Sequence, residues 1–188
     1  MSRAAASEAR RAALLALGKR IFAEQPYDQV STEQIATEAG VSTGLLYHYF
    51  ENKKGFYVAT VRAATDELLA AVSFLPGRPL AESALGALDQ FVAFAEANAA
   101  LYQGVMRGSG ADPRVQAVVE EVRLTLTARL LAAASVAATP RLRLQLYGWL
   151  GFVEFATLRW LRHPDVDRTE LLTLCLGAAP PSLLEKSP

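Results

Sequence analysis

Apolar residues recur along this chain at steps of three and four, and alternating β-branched runs are absent. That period puts the apolar positions on one side of an α-helix, so the pattern predicts an all-α protein of about nine helices. Ser7 is placed to cap a first helix that reaches about Glu24, with Leu14, Leu17 and Ile21 on one face and Pro26 closing it. Ser31 or Thr32 caps a second helix, and Glu33 or Gln34 is placed to support its first turn. Gly40 stops that helix, and a third covers about residues 43–49. A fourth starts near Lys53, with Val58, Val61, Thr65, Leu68 and Val72 as its inner stripe.

The run LPGRP at residues 75–79 is the strongest breaker in the chain and a candidate boundary. A helix over about 80–98 follows, bent or renewed as far as Met106, and GSGADP at 108–113 reads as a loop. Pro113 opens the next helix, whose buried side is Val115, Val118, Val122 and Leu126. Pro140 opens a long helix that His163-Pro164 ends, and a last one covers about 168–177. The tail PPSLLEKSP is expected to fray.

Composition narrows the function classes. The chain has 188 residues, 52% of them hydrophobic, and balances 19 basic against 19 acidic side chains. No global field draws it to nucleic acid or membrane, so any DNA binding must come from a local surface. The lone Cys175 excludes an internal disulfide and fits a cytoplasmic setting. No stretch approaches the roughly 20 apolar residues of a membrane span.

Residues 32–50, TEQIATEAGVSTGLLYHYF, read as two short helices joined by a tight turn. Ala36 is small where the helices would cross, and Gly40 suits a turn backbone costly for a residue with Cβ. Ile35, Ala39, Val41 and Leu46 form an apolar seam, with Phe50 as a further anchor. Thr43, Leu45, Tyr47, His48 and Tyr49 are then the outward positions of the third helix, able to meet base edges and phosphates. Lys53 and Lys54 sit at the start of the fourth helix, where the dipole disfavours a cation and a phosphate partner would favour it.

The string T-x-x-I-A-x-x-A-G-V-S-x-G-x-L-Y-x-Y-F-x-x-K over residues 32–53 resembles the signature of the tetracycline-repressor-like (TetR) transcriptional regulators. The resemblance implies a homodimer with an N-terminal three-helix DNA-binding domain, here 1–54, and a helical ligand-binding and dimerisation domain, here 55–188. It implies that Thr32 grips phosphate, that Thr43, Leu45 and His48 face bases, and that Tyr47 and Lys53 hold phosphates. Tyr49 matches a position that often touches DNA and could equally pack inward. Gly55 departs from the family pattern, in a way that would loosen the first turn of the fourth helix.

The long helix RLRLQLYGWLGFVEFATLRWLR is apolar on more than one side, so it is buried all round in a core or an oligomer interface. Gly148 and Gly151 would let another helix approach closely. We expect the helices at about 140–162 and 168–177 to pair with a second copy, although they could instead finish the monomer core. A pocket between the fourth and eighth helices would be lined by Phe91, Phe94, Tyr102, Met106, Arg123, Tyr147, Trp149, Phe152 and Phe155. Its few polar groups favour a small, largely apolar effector, with Arg123 or Glu154 as orienting charges.

An enzyme is the first rival reading. His48 and His163 are far apart, Cys175 lies in an apolar helix, and no metal-ligand spacing or phosphate-binding glycine loop occurs. No metal or cofactor is expected. A helical protein-interaction module is the second rival. The favoured reading is a sequence-specific transcriptional regulator. Repression of a palindromic operator, relieved by the effector, is what the resemblance implies.

Overall fold

Small polar residues set where the helices begin. Ser2, Ser31, Ser42, Thr139 and Asp167 each accept a backbone N–H three residues on, which satisfies a donor that the first turn leaves open. A computed structural model describes residues 2–74, 79–108 and 112–181. Those residues form α1 (Arg3–Glu24), a 3-10 turn (Tyr27–Gln29), α2 (Thr32–Ala39), α3 (Thr43–Phe50) and α4 (Lys53–Ala71). Then come α5 (Leu80–Ala97), α6 (Ala99–Met106), α7 (Pro113–Ala134), α8 (Pro140–Arg162) and α9 (Arg168–Gly177). The fold is all-α, as the periodicity predicts, with no strand among the described residues. Most of LPGRP, the centre of GSGADP and the end of the tail lie outside the described residues.

The chain divides into two compact units, Met1–Asp66 with Ala97–Val118, and Glu67–Glu96 with Val119–Pro188. In the first, α6 packs along α1, and α1 also meets α2. An aromatic cluster holds this unit. Phe22 meets Tyr57 edge-on at 5.0 Å, Phe50 meets Phe56 at 5.0 Å, and Tyr27 lies 4.9 Å from Tyr57. Burial pushes the Tyr57 phenol well above its ordinary value, and its hydroxyl has no hydrogen-bond partner among the described residues.

Two sequence expectations are corrected here. The helix α1 begins at Arg3 under the Ser2 cap, not at Ser7. The alanines at 4–6 carry the helix back, because alanine has the highest helix propensity. The inner face of α4 is Phe56, Tyr57, Thr60, Val61, Ala64, Leu68 and Val72, while Val58 and Thr65 are only half-buried. The cause lies in α1. A Cβ on Gly18 would fall 2.5 Å from Thr60 Oγ1 and 2.6 Å from Phe56 Cζ, so α1 and α4 cross at contact distance over small residues.

Gly55 also has a different role from the loosening expected. Glu51 has φ 64° and ψ −50°, and the Asn52 N–H reaches the Phe50 carbonyl at 2.7 Å. This is a γ-turn of the less common, positive-φ hand. It leaves the Phe50 carbonyl oxygen only 2.1 Å from where a Gly55 Cβ would stand. The Gly55 N–H donates to Asn52 Oδ1 at 2.9 Å, so the first turn of α4 is capped and tight. An alanine in an open helix position gains about 1 kcal/mol over glycine. Here the sign reverses: Gly55→Ala is expected to cost about 1–3 kcal/mol, because backbone atoms must shift. Denaturant unfolding of the two proteins checks this, and an unchanged or raised midpoint would contradict it.

In the second unit, Leu88, Val92, Leu130, Leu146, Trp149, Val153, Leu171, Leu172 and Cys175 form one buried cluster. Arg168 binds both Asp89 (2.8 Å) and Glu96 (2.7 Å), tying α9 to α5. The Arg129 guanidinium donates to the carbonyls of Leu69 and Val72 near the end of α4. That supplies two of the acceptors a helix end leaves unpaired.

Candidate nucleic-acid interface and apolar cavity

The α2–turn–α3 unit is fixed by local chemistry. Gly40 takes the left-handed conformation (φ 64°, ψ 33°), and the N–H groups of Gly40 and Val41 close back on Thr37 and Ala36. Ser42 then restarts the helix, its Oγ accepting from the Leu45 N–H at 3.1 Å. Ile35, Ala36, Leu46 and Phe50 are buried, which turns the opposite side of α3 outward. Thr43, Gly44, Tyr47 and His48 form that exposed face, two pairs spaced one turn apart. The face presents a hydroxyl, an open stretch of backbone at Gly44, a phenol and an imidazole.

The other predicted contacts cluster around it. Tyr47 Oη donates to Thr32 Oγ1 at 3.4 Å, so these two predicted phosphate contacts come together across α2 and α3. Tyr49 is half-buried, with its ring edge-on to His48 at 5.5 Å and its hydroxyl 3.2 Å from Ser7 Oγ. Leu45 is half-buried too, in a groove it shares with Arg10, Leu14, Leu17 and Val41. The Lys53 ammonium sits 4.0 Å over the Tyr27 ring, a cation–π contact that offsets its unfavourable place in the first turn of α4. Beside Lys54, hydrogen bonds from Arg114 hold the Asp112 carboxyl down at about 2. Sequence reasoning missed Ser42, Gly44 and Asn52. The S-x-x and N-x-x spacing before each helix was the available signal.

The second unit contains an apolar cavity of about 60 Å³. Phe91, Arg123 and Trp149 line it as expected from the sequence, together with Glu154. Val72, Phe74, Leu88, Val122, Leu126, Leu130, Leu150 and Val153 complete the wall. Phe94 packs half-buried on the small core of Leu68, Val72 and Ala87 without lining the cavity. Tyr102 and Met106 lie on α6 in the first unit. Tyr147, Phe152 and Phe155 are 42%, 45% and 61% exposed on α8.

One charged cluster borders this cavity. Arg123 makes a two-pronged pair with Glu154, Nε to Oε1 at 2.9 Å and an outer nitrogen to Oε2 at 2.6 Å. Its other outer nitrogen is 3.5 Å from Glu120, whose carboxylate accepts from the Tyr147 hydroxyl at 3.0 Å. The hydrogen bonds from Glu154 raise the Arg123 guanidinium above its ordinary value.

The family profile described as "Bacterial regulatory proteins, tetR family" matches residues 14–60. A second, described as "Tetracyclin repressor-like, C-terminal domain", matches residues 80–177, more than half of the chain. The chain belongs to the TetR family. A TetR-family transcriptional regulator from Streptomyces coelicolor has the same fold with a TM-score of 0.84 and 28% identity, over 90% of this chain and 78% of that one. A TetR-like regulator from Rhodococcus sp. RHA1 is 19% identical with a TM-score of 0.67, over 95% of both chains, and supports the fold alone.

Curated relatives match mainly through the first unit. The HTH-type transcriptional repressor Rv1474c of Mycobacterium tuberculosis is 31% identical over 83 residues, 44% of each chain. The HTH-type transcriptional regulator BetI of Klebsiella pneumoniae is 54% identical over 39 residues, 21% of this chain and 20% of that one. This chain thus spans less than half the length of these curated relatives. As a TetR-family member it is a DNA-binding regulator and not an enzyme. Among the described residues no group of three or more His, Cys, Asp and Glu could hold a metal ion. No helix among them is long and apolar enough to cross a membrane.

Proposed function

We propose that this TetR-family protein is a homodimeric repressor, released from a palindromic operator by a small, largely apolar ligand. The observation that carries the reading is the exposed face of α3, held in place by two serine caps and a left-handed glycine. In this reading Thr43, Leu45 and His48 read bases. Thr32, Tyr47, Tyr49 and Lys53 hold the backbone on either side, and Lys53 can do so only by leaving or sharing the Tyr27 ring. Residues 1–54 serve as the DNA-binding domain and 55–188 as the ligand-binding and dimerisation domain.

Dimer formation through α8 and α9 is supported by the outward apolar row of α8. Leu144, Tyr147, Phe152 and Phe155 are exposed on a helix that already buries Leu142, Leu146, Trp149 and Val153. Effector control is supported by the cavity between α5, α7 and α8. Residues 53–66 of α4 fall in the unit that carries α3, and 67–71 in the unit that carries the cavity. A ligand that prefers one placement of α4 weakens operator binding by its differential affinity for the two states, and by no more.

Selection of bound fragments from random DNA tests the function. The expected product is an inverted repeat with half-site centres about 34–36 Å apart, or a multiple of that spacing. Enrichment of an asymmetric single site would sink the dimeric reading, and no enrichment would sink the regulator.

A further inference from the structure

We propose that the effector is an apolar molecule carrying one protonated amine or amidine, and that Glu154 receives that cation. The inference rests on the reading of the cavity as the effector site. It begins from the charges around Arg123. One guanidinium serves two carboxylates, Glu154 at 2.6 Å and Glu120 at 3.5 Å, so the cluster as a whole is one negative charge in excess. The Glu154 side chain is 12% exposed and that of Glu120 43% exposed, so the more deeply placed carboxylate is the one lining the cavity.

Three classes of ligand then differ in what they leave behind. An anion would have to draw Arg123 away from Glu154, stranding a mostly buried carboxylate without a cation, which is strongly unfavourable. A neutral apolar ligand would leave the pair unchanged and gain nothing from it. A cation can take Glu154 while Arg123 falls back on Glu120 and on the Tyr147 ring, 5.7 Å away. Every charge is then still paired. The Glu154 oxygens accept three short hydrogen bonds from Arg123, so their new partner must donate N–H bonds in turn. A protonated amine or amidine does this, and the rings of Phe91 and Trp149 in the same wall favour a cation beside them.

The exchange has a mechanical consequence. Arg123 is on α7 and Glu154 on α8, so their pair ties the two helices together. A volume of about 60 Å³ is far below the roughly 300 Å³ at which ligand pockets begin, so the helices must part for entry. A ligand cation that takes over Glu154 removes the tie as it enters.

Calorimetric titration of the full chain with 1-aminodecane, 1-decanol and decanoate tests this, at neutral pH and below their aggregation concentrations. The expected order is decylammonium tighter than decanol by at least roughly tenfold, with decanoate weakest. Glu154→Gln is expected to remove most of the decylammonium advantage and leave decanol unchanged. Decanol equal to decylammonium, decanoate tightest, or a decylammonium advantage that survives Glu154→Gln would each overturn the charge assignment and leave an apolar effector site standing. No binding of any of the three would overturn the effector site as well. The wild-type order is decisive by itself should Glu154→Gln fail to fold.

Discussion

Leu144→Glu combined with Phe155→Glu is expected to leave the protein monomeric and to lower its operator affinity by at least about 100-fold. Leu144 is 74% exposed and Phe155 61% exposed, and they lie three helical turns apart on one side of α8. Single exposed apolar residues are ordinary on any protein surface, but a row along one helix is not. Gly148 and Gly151 fall within that row, and a Cβ on either would meet nothing within 4 Å. On α9, Leu174 is 53% exposed. Burial of each large side chain contributes about 1.5–3 kcal/mol. Twofold symmetry doubles every substitution, so the pair of glutamates removes four anchors and places four charges in the contact. Neither residue supports the monomer core, so unfolding of the isolated subunit should change little. Small-angle scattering reads the assembly and a gel shift reads the affinity. A double variant that stays dimeric and binds its operator normally would place the interface elsewhere. Gly148→Ala supplies an independent check. It should stabilise a lone helix by about 1 kcal/mol, yet weaken a dimer whose helices meet there.

The parts of the molecule legible in the sequence are those fixed within a few residues of themselves. Ser31, Gly40 and Pro113 act on their own helix ends, so the boundaries of α2 and α7 followed from them. The long breaker-free stretch opened by Pro140 and closed at His163 was equally local. Burial along α4 was misread because it depends on Gly18, some forty residues earlier, which admits Thr60 and Phe56 to contact. Gly55 was misread because its need arises from a γ-turn at Glu51, and no residue type announces a positive φ at a glutamate.

The cavity shows the same division. Phe91, Arg123, Trp149 and Glu154 were named from the sequence and line it. Much of the remaining wall is aliphatic, such as Leu88, Leu126, Leu130 and Val153. Reasoning from aromatic spacing passes over such residues. On α8 it also could not tell inward from outward rings. Trp149 is 7% exposed and Phe152, three residues on, is 45% exposed. A helix that is apolar on more than one side gives no polar stripe to orient by.

Trp149→Ala is expected to cost about 3–5 kcal/mol, a large share of the roughly 5–15 kcal/mol that holds a domain folded. Two separate losses make up that cost. The indole packs within the cluster of Leu88, Leu130, Leu146, Leu172 and Cys175, where its removal leaves a hole that rigid neighbours only partly fill. Its Nε1 also donates to the Cys175 carbonyl at 2.8 Å. Cys175 lies in the last turn of α9, whose carbonyls lack partners within their own helix, and the next residues bond to Leu174 and Leu176 instead. The indole therefore caps the C-terminal end of α9 from within the core. Trp149→Phe separates the two terms, since it keeps most of the ring but leaves that carbonyl unpaired. It should cost about 1–3 kcal/mol, with faster amide exchange confined to the end of α9. Because α9 carries Leu174 on the proposed dimer face, the phenylalanine variant should also loosen self-association while the α3 face stays intact. The unfolding experiments need one fixed protein concentration, because a dimer's stability rises with it. A Trp149→Phe protein within about 0.5 kcal/mol of the parent, with unchanged exchange in α9, would show that the hydrogen bond contributes nothing and that bulk alone holds α9 to the core.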